Sequence, residues 1–246
     1  MKRAHEVPAH PSISCGHISS GYHPPVPEAA RAFLSDPQSR QRVRALLRFN
    51  ELFTQVYHRM EILGRWQVPE TGPAILVCNH ISGLDPLFIQ SVSPRVIVWM
   101  MAREYYDVKA TNWVFRRAES IPVERTGRDL ASTRAALRAL DAGRILGIFP
   151  EGRIETDGNA LIPFQTGVAM MAIKTGVPVY PAYLDGTSRG KNMLHAFTFS
   201  NRVRLTLGPA VTLETRSTDK DSLERATLKI YEAVAELKRQ SDRQPR

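Results

Sequence analysis

The chain has only two cysteines, Cys15 and Cys78, and no long apolar run. Two thiols cannot make a disulfide framework, and they suit a reducing compartment. The longest hydrophobic stretches, Val96 to Ala102 and Val177 to Leu184, fall far short of the about 20 residues that span a bilayer. The first residues lack the apolar core of a signal peptide. The expectation is therefore a cytoplasmic protein, peripheral on the inner face of the cell membrane where it meets lipid. No internal repeat is visible, nor the aromatic-basic interleaving of a nucleic-acid binder.

What is present points elsewhere. A length of 246 residues suits one sizeable core. With 33 Lys and Arg against 24 Asp and Glu, the formal charge is +9, which favours an anionic partner such as a membrane surface or a phosphorylated substrate. Residues 1–27 are rich in Pro, Ser, Gly and His without periodicity, and read as a disordered tail. His5, His10, His17, His23 and Cys15 lie there, but their spacing fits no zinc pattern.

Residues 28–66 read as an amphipathic helical segment for membrane contact. Within it, Arg40 to Leu63 forms one helix with Val43, Leu46, Leu47, Phe53, Tyr57 and Met60 at helical spacing. Phe49, Leu52, Val56 and Leu63 widen the stripe, and Arg40, Arg42, Arg44, Arg48 and Arg59 make the polar side basic. Such a helix suits the headgroup boundary of an anionic membrane, or packs its stripe on the core.

Residues 67–240 alternate strands and helices. Ala74–Cys78, Val96–Met100, Ile145–Phe149 and Val177–Tyr183 read as buried strands. Arg128–Ala142 is predicted helical with Leu130, Leu137 and Leu140 inward, Phe164–Thr175 helical with Gly176 ending it, and Ser222–Lys238 helical with Asp221 at its start. The fold class is α/β: a central mostly parallel or mixed sheet flanked by helices, behind an amphipathic N-terminal segment.

The candidate chemistry sits just past the first of these strands. In Cys78-Asn79-His80-Ile81-Ser82-Gly83-Leu84-Asp85-Pro86, histidine precedes aspartate by five residues. On a helix that spacing separates them by about 140°, and on a strand it sends them to opposite faces. They meet only if the chain turns between them, and Ser82-Gly83 offers the turn. A plainer role for Asp85 is helix N-cap, with Pro86 at the first helical position. Phe149-Pro150-Glu151-Gly152-Arg153 follows the strand Ile145–Phe149, and Ile121-Pro122-Val123-Glu124-Arg125 ends in an arginine before a polar turn, bringing a carboxylate and two guanidinium groups to strand-end loops, where α/β sheets bind ligands.

Three rivals attach to nearby residues. Gly186-Thr187-Ser188-Arg189-Gly190 fits the G-x-S-x-G elbow of serine hydrolases but lacks the helix, acid and histidine that should follow in order. Cys78 invites a Cys-His mechanism, although its apolar strand favours an inert buried thiol. His80 and Asp85 lack the further ligands of a metal site.

The order of NHISGLD, IPVER, FPEGR and VPVYPAYL resembles the four blocks of the lysophosphatidate acyltransferase family, whose members move a fatty acyl chain from a thioester carrier to a glycerol-phosphate hydroxyl. The likeness takes in WMMARE and FQTGVAMMAIKTG and runs from Pro69 to Thr187, about half the chain. It implies His80 as general base and Asp85 as its partner. Arg125 and Arg153 would bind the acceptor phosphate, with Glu151 and Gly152 shaping that loop, and Val177–Leu184 would help line the acyl site. It implies no cofactor and no metal. The partners implied are a lysophospholipid, lysophosphatidate first, acyl-CoA or acyl-carrier protein as donor, and an anionic membrane surface. Many members carry a threonine between the glycine and arginine of the third block. Here Arg153 follows Gly152 directly, leaving the acceptor headgroup open.

Overall fold

The computed structural model describes residues 45–124, 129–156, 158, 161–190, 193–214 and 217–245. The expected tail at 1–27 and Arg125 lie outside them, as do Arg40, Arg42, Val43 and Arg44. In order the chain forms helix α1 (residues 45–57, a π-turn at Leu52–Tyr57), β1 (Glu61–Leu63), β2 (Ala74–Cys78) and α2 (Asp85–Gln90). Next come β3 (Ile97–Ala102), α3 (Arg103–Tyr106), α4 (Lys109–Arg117), β4 (Ile121–Val123), α5 (Leu130–Asp141) and β5 (Ile145–Ile148). The series ends with α6 (Gly167–Thr175), β6 (Val179–Asp185), α7 (Met193–Thr198), β7 (Arg204–Leu207) and α8 (Lys220–Arg243).

The seven strands make one sheet in the order β1-β7-β6-β2-β5-β3-β4. The pairings are parallel except β6 with β7, so the sheet is mixed, as expected. β2 lies between β6 and β5, and all five of its side chains are buried. A central parallel strand is covered on both faces, which explains its unbroken apolar run. Alternate residues serve opposite cores. Ile75 and Val77 join a cluster with α5, α6 and α8, while Ala74, Leu76 and Cys78 join one with α2, β7 and Phe53 of α1.

Caps set several helix bounds. Asp129 opens α5 by accepting from Ser132 N–H at 2.9 Å, and Asp219, not Asp221, opens α8 the same way from Ser222. Gly176 closes α6 in the left-handed region at φ 66°, where a side chain would be strained. Leu130 was expected to face inward but is exposed as the first residue of α5. On α8, Ala226, Ile230, Val234 and Leu237 recur every three or four residues and are buried. Buried Arg204 on β7 ties this layer together, donating to Glu61 of β1 and to the carbonyls of Ser241, Gln244 and Pro245.

The N-terminal helix departs most from expectation. It ends at Tyr57, and Glu61–Leu63 is an edge strand paired with β7 rather than more helix. Its buried stripe is polar: Asn50, Thr54 and His58 recur every fourth residue and are buried. Asn50 donates to the carbonyl of Leu87 at 2.9 Å, and Thr54 to that of Asn50 at 2.9 Å. His58 lies against Phe53, Tyr57 and Phe88, and burial holds its pKa below the ordinary value. Phe53 and Met60 pack on the core, but Phe49, Leu52 and Val56 are 66%, 63% and 67% exposed. Among the described residues no helix is long and apolar enough to cross a membrane.

Candidate active site

Because β2, β5 and β6 run parallel side by side, the segments leaving their carboxyl ends emerge at one sheet edge. These are residues 79–85, 149–155 and 186–190. His80 and Asp85, apart by either regular geometry, meet across the turn between them: His80 Nδ1 lies 2.9 Å from Asp85 Oδ2. The amide N–H of Asp85 closes the turn on the Ser82 carbonyl at 3.2 Å.

Asp85 is not the cap of α2 but its first residue, with Leu84 at the cap position and Pro86 second. Its carboxylate turns backward instead, and Oδ2 accepts from the amides of Ile81 at 2.7 Å and Ser82 at 2.8 Å. Oδ1 accepts from the Thr187 hydroxyl at 3.2 Å. A carboxylate surrounded by donors acts as acceptor toward His80 as well. Nδ1 therefore carries the proton and Nε2 keeps its lone pair, the tautomer being fixed by this network.

Asn79 secures the root of the turn. Its side chain donates to the Leu184 carbonyl at 2.9 Å and accepts from the Leu184 amide at 2.7 Å, locking the end of β2 to β6. The imidazole is stacked on one face rather than free. His80 stacks on Phe149 at 4.0 Å between centroids, and Phe149 on Trp99 at 4.9 Å, both at 11°. Trp99 lies on bare backbone, since a Cβ on Gly147 would come within 2.5 Å of its ring. An aromatic face beneath the imidazole favours it further once it is protonated.

Glu151 is buried beside this turn, 4% exposed. Burial pushes its carboxyl up to about 8. The amide of His80, which bonds it, and Arg153 oppose that rise, while Asp85 and Glu155 reinforce it. Among the described residues nothing meets its Oε2, which suits a carboxyl that keeps its proton near neutrality. Gly152 has φ 70°, and a Cβ there would fall 2.3 Å from Gln165 Nε2. Arg153 is exposed next to it. The structure thus gathers His80, Asp85, Glu151, Gly152 and Arg153 at one edge.

The remaining expectations resolve differently. Val177–Leu184 lies in the two cores, with Val179 and Tyr183 on one side and Tyr180, Ala182 and Leu184 on the other. Ser188 of the apparent elbow accepts from Asn201 at 2.9 Å. Cys78 is fully buried, and burial raises its pKa well above the ordinary value, so its thiol is not poised as a nucleophile. No cluster of three His, Cys, Asp or Glu able to hold a metal occurs among the described residues. Thr187, Asn79 and the ring pair under His80 were missed as site residues. Thr187 and Phe149 stood inside quoted motifs, while Thr187 is 102 positions from Asp85.

The sheet edge and its His-Asp pair make this an α/β protein with a candidate site at the carboxyl ends of parallel strands. A model of the Acyltransferase family matches residues 59–185, just over half of the 246 residues, and the chain belongs to that family. It is similar to the 1-acyl-sn-glycerol-3-phosphate acyltransferase of Helicobacter pylori, 26% identical over 56% of this chain and 59% of the relative. The alpha form from Mus musculus is 27% identical over 72% of this chain and 65% of the relative. Thus the chain spans less than two thirds of either relative's length. A crystal structure of the 1-acyl-sn-glycerophosphate acyltransferase of Thermotoga maritima shares the fold, with a TM-score of 0.67, 22% identity, and coverage of 89% of this chain and 88% of that one.

Proposed function

We propose that the protein is an O-acyltransferase of phospholipid synthesis, moving a fatty acyl group from acyl-CoA or acyl-carrier protein to the free hydroxyl of lysophosphatidate. The observation that carries this reading is the His80–Asp85 hydrogen bond at 2.9 Å, set at a strand end inside the family match. His80 Nε2 takes the proton of the acceptor hydroxyl as its oxygen attacks the thioester carbonyl. The tetrahedral species then collapses, the C–S bond breaks, and the imidazolium returns the proton to the leaving thiolate. Asp85 holds the imidazole and offsets its charge while it is protonated. The acceptor oxygen is the nucleophile, so no acyl-enzyme forms.

Arg153 and Arg125 bind the acceptor phosphate in this reading, with exposed Arg153 as the described member of the pair. A second acceptor class, glycerol 3-phosphate or another lysolipid, stays open because Arg153 follows Gly152 without an intervening threonine. The place of work is an anionic membrane surface on the cytoplasmic side. Its support is the outward apolar face of α1, extended by Phe197, which lies 5.3 Å from Phe53, and by exposed Phe199.

The test is thiol release from acyl-CoA and from acyl-carrier protein against a panel of lysophospholipids and glycerol 3-phosphate. His80→Ala is expected to lower turnover about 10²- to 10⁴-fold, the range for a positioned general base. Turnover near that of the wild type in His80→Ala would sink the mechanism. A panel with no acylated acceptor would sink the substrate class.

A further inference from the structure

The Gly186–Gly190 stretch imitates a nucleophile elbow, yet its contacts run to the His80–Asp85 turn. It leaves the end of β6 through Gly186, at φ 82°, where a Cβ would sit 2.0 Å from the Arg202 carbonyl oxygen. Only glycine lets the chain pass there. At its far end Gly190 N–H donates to the Ile81 carbonyl at 3.0 Å, and Gly190 forms a parallel bridge with Ser82. Arg189 pairs with Glu155 at 2.5 Å, and the amide of Glu155 donates to the His80 carbonyl at 2.7 Å. The first half of the turn, His80 to Ser82, is therefore tied, directly or through one residue, to this strap.

Thr187 is the point where the strap reaches the dyad. Asp85 Oδ2 is held by its own turn, through the amides of Ile81 and Ser82 and through His80 Nδ1. Its other oxygen, Oδ1, is met by the buried Thr187 hydroxyl from a different strand end. A carboxylate fixed at one oxygen can still rotate about that anchor. A donor at the second oxygen sets its plane, and with it the direction in which the imidazole presents Nε2.

We propose that Thr187 is a positioning residue for acyl transfer, acting on His80 through Asp85. This inference rests on the reading of His80 as the base. Thr187→Val keeps the branched shape and removes the hydroxyl, whereas Thr187→Ser keeps the hydroxyl and removes a methyl. The Val variant is expected to lower kcat about tenfold, the scale of one hydrogen bond to a charged group, with KM held within about twofold. The Ser variant should restore most of that loss.

A spectroscopic arm needs no substrate. The His80 Nδ1–H proton is identified by proton NMR as the resonance lost in His80→Ala, and it should shift or exchange away in Thr187→Val and return in Thr187→Ser. The inference is overturned if the Val variant keeps both the wild-type kcat and that resonance, or if Ser fails to restore what Val removes. Should the wild type transfer no acyl group to any acceptor, the functional reading fails, while the resonance still decides the part about Thr187.

Discussion

The His80–Asp85 turn and the first helix solve opposite problems with the same materials. At the turn, polar atoms are buried and partnered: Asp85, with no exposed surface, accepts from two amides, an imidazole and a hydroxyl. Along α1 and at the residue that ends it, Asn50, Thr54 and His58 are buried while Phe49, Leu52 and Val56 are exposed. The turn is complete within the chain, and burying a carboxylate is tolerable only because each oxygen finds donors. The helix leaves Phe49, Leu52 and Val56 mostly exposed, and an exposed apolar patch of this kind marks a candidate interaction face. In the proposed function the turn carries the chemistry, and the exposed face of the helix is the surface that meets lipid.

That contrast breaks most readily at the helix. Phe49→Ser, Leu52→Ser and Val56→Ser together should leave the thermal midpoint close to that of the wild type, because these side chains are mostly exposed. Partition onto vesicles rich in phosphatidylglycerol should fall about a hundredfold, taking about 1 kcal/mol for each half-inserted side chain. Sedimentation with vesicles measures it. Equal binding by the triple variant would show that the outward face is not what meets lipid, and a large drop in midpoint would place it in the fold instead.

A second test addresses the buried side. With its carboxyl raised from an ordinary 4.5 to about 8, Glu151 keeps its proton in the native state while the unfolded chain loses it. Below the lower value both states hold the proton, so the contribution is fully present. It is lost as pH climbs through the window to the higher value, by at most about 1.4 kcal/mol per pH unit from this one group. Glu151→Gln carries no such slope. The stability of the wild type relative to the variant should therefore decline from pH 5 to pH 8 and then level, read by chemical denaturation. Parallel profiles would mean that Glu151 is ionised throughout.

The sequence carried the sheet's centre well and its edges poorly, for a physical reason. Ala74–Cys78 is apolar on both faces because helices cover both, so composition alone marks it. β7 buries Arg204 and Thr206 among its leucines, and β1 is a three-residue edge, so neither has a run to see. The width of the α1 apolar face was legible, but its direction was not, because the helix buries its polar stripe. His80 and Asp85 were legible as a pair needing a turn. The donor on Oδ1 was not, since Thr187 comes near only when β6 lies beside β2, a pairing that local spacing does not encode.

The smallest expected effect is also the sharpest separation within the strap. Ser188 neighbours Thr187, carries the same hydroxyl chemistry, and would be the nucleophile if the G-x-S-x-G pattern meant a hydrolase. Its partner is Asn201, on the segment before β7; the hydroxyl that reaches Asp85 is that of Thr187. Removing one exchangeable hydrogen bond from this position should cost about 1 kcal/mol of stability or less and leave turnover essentially at the wild-type level. Ser188→Ala, assayed for thiol release beside Thr187→Val, distinguishes a strap that acts through one residue from one that acts as a whole. Abolished turnover in Ser188→Ala would revive covalent catalysis, because only a nucleophile could make that hydroxyl matter more than the one on Asp85.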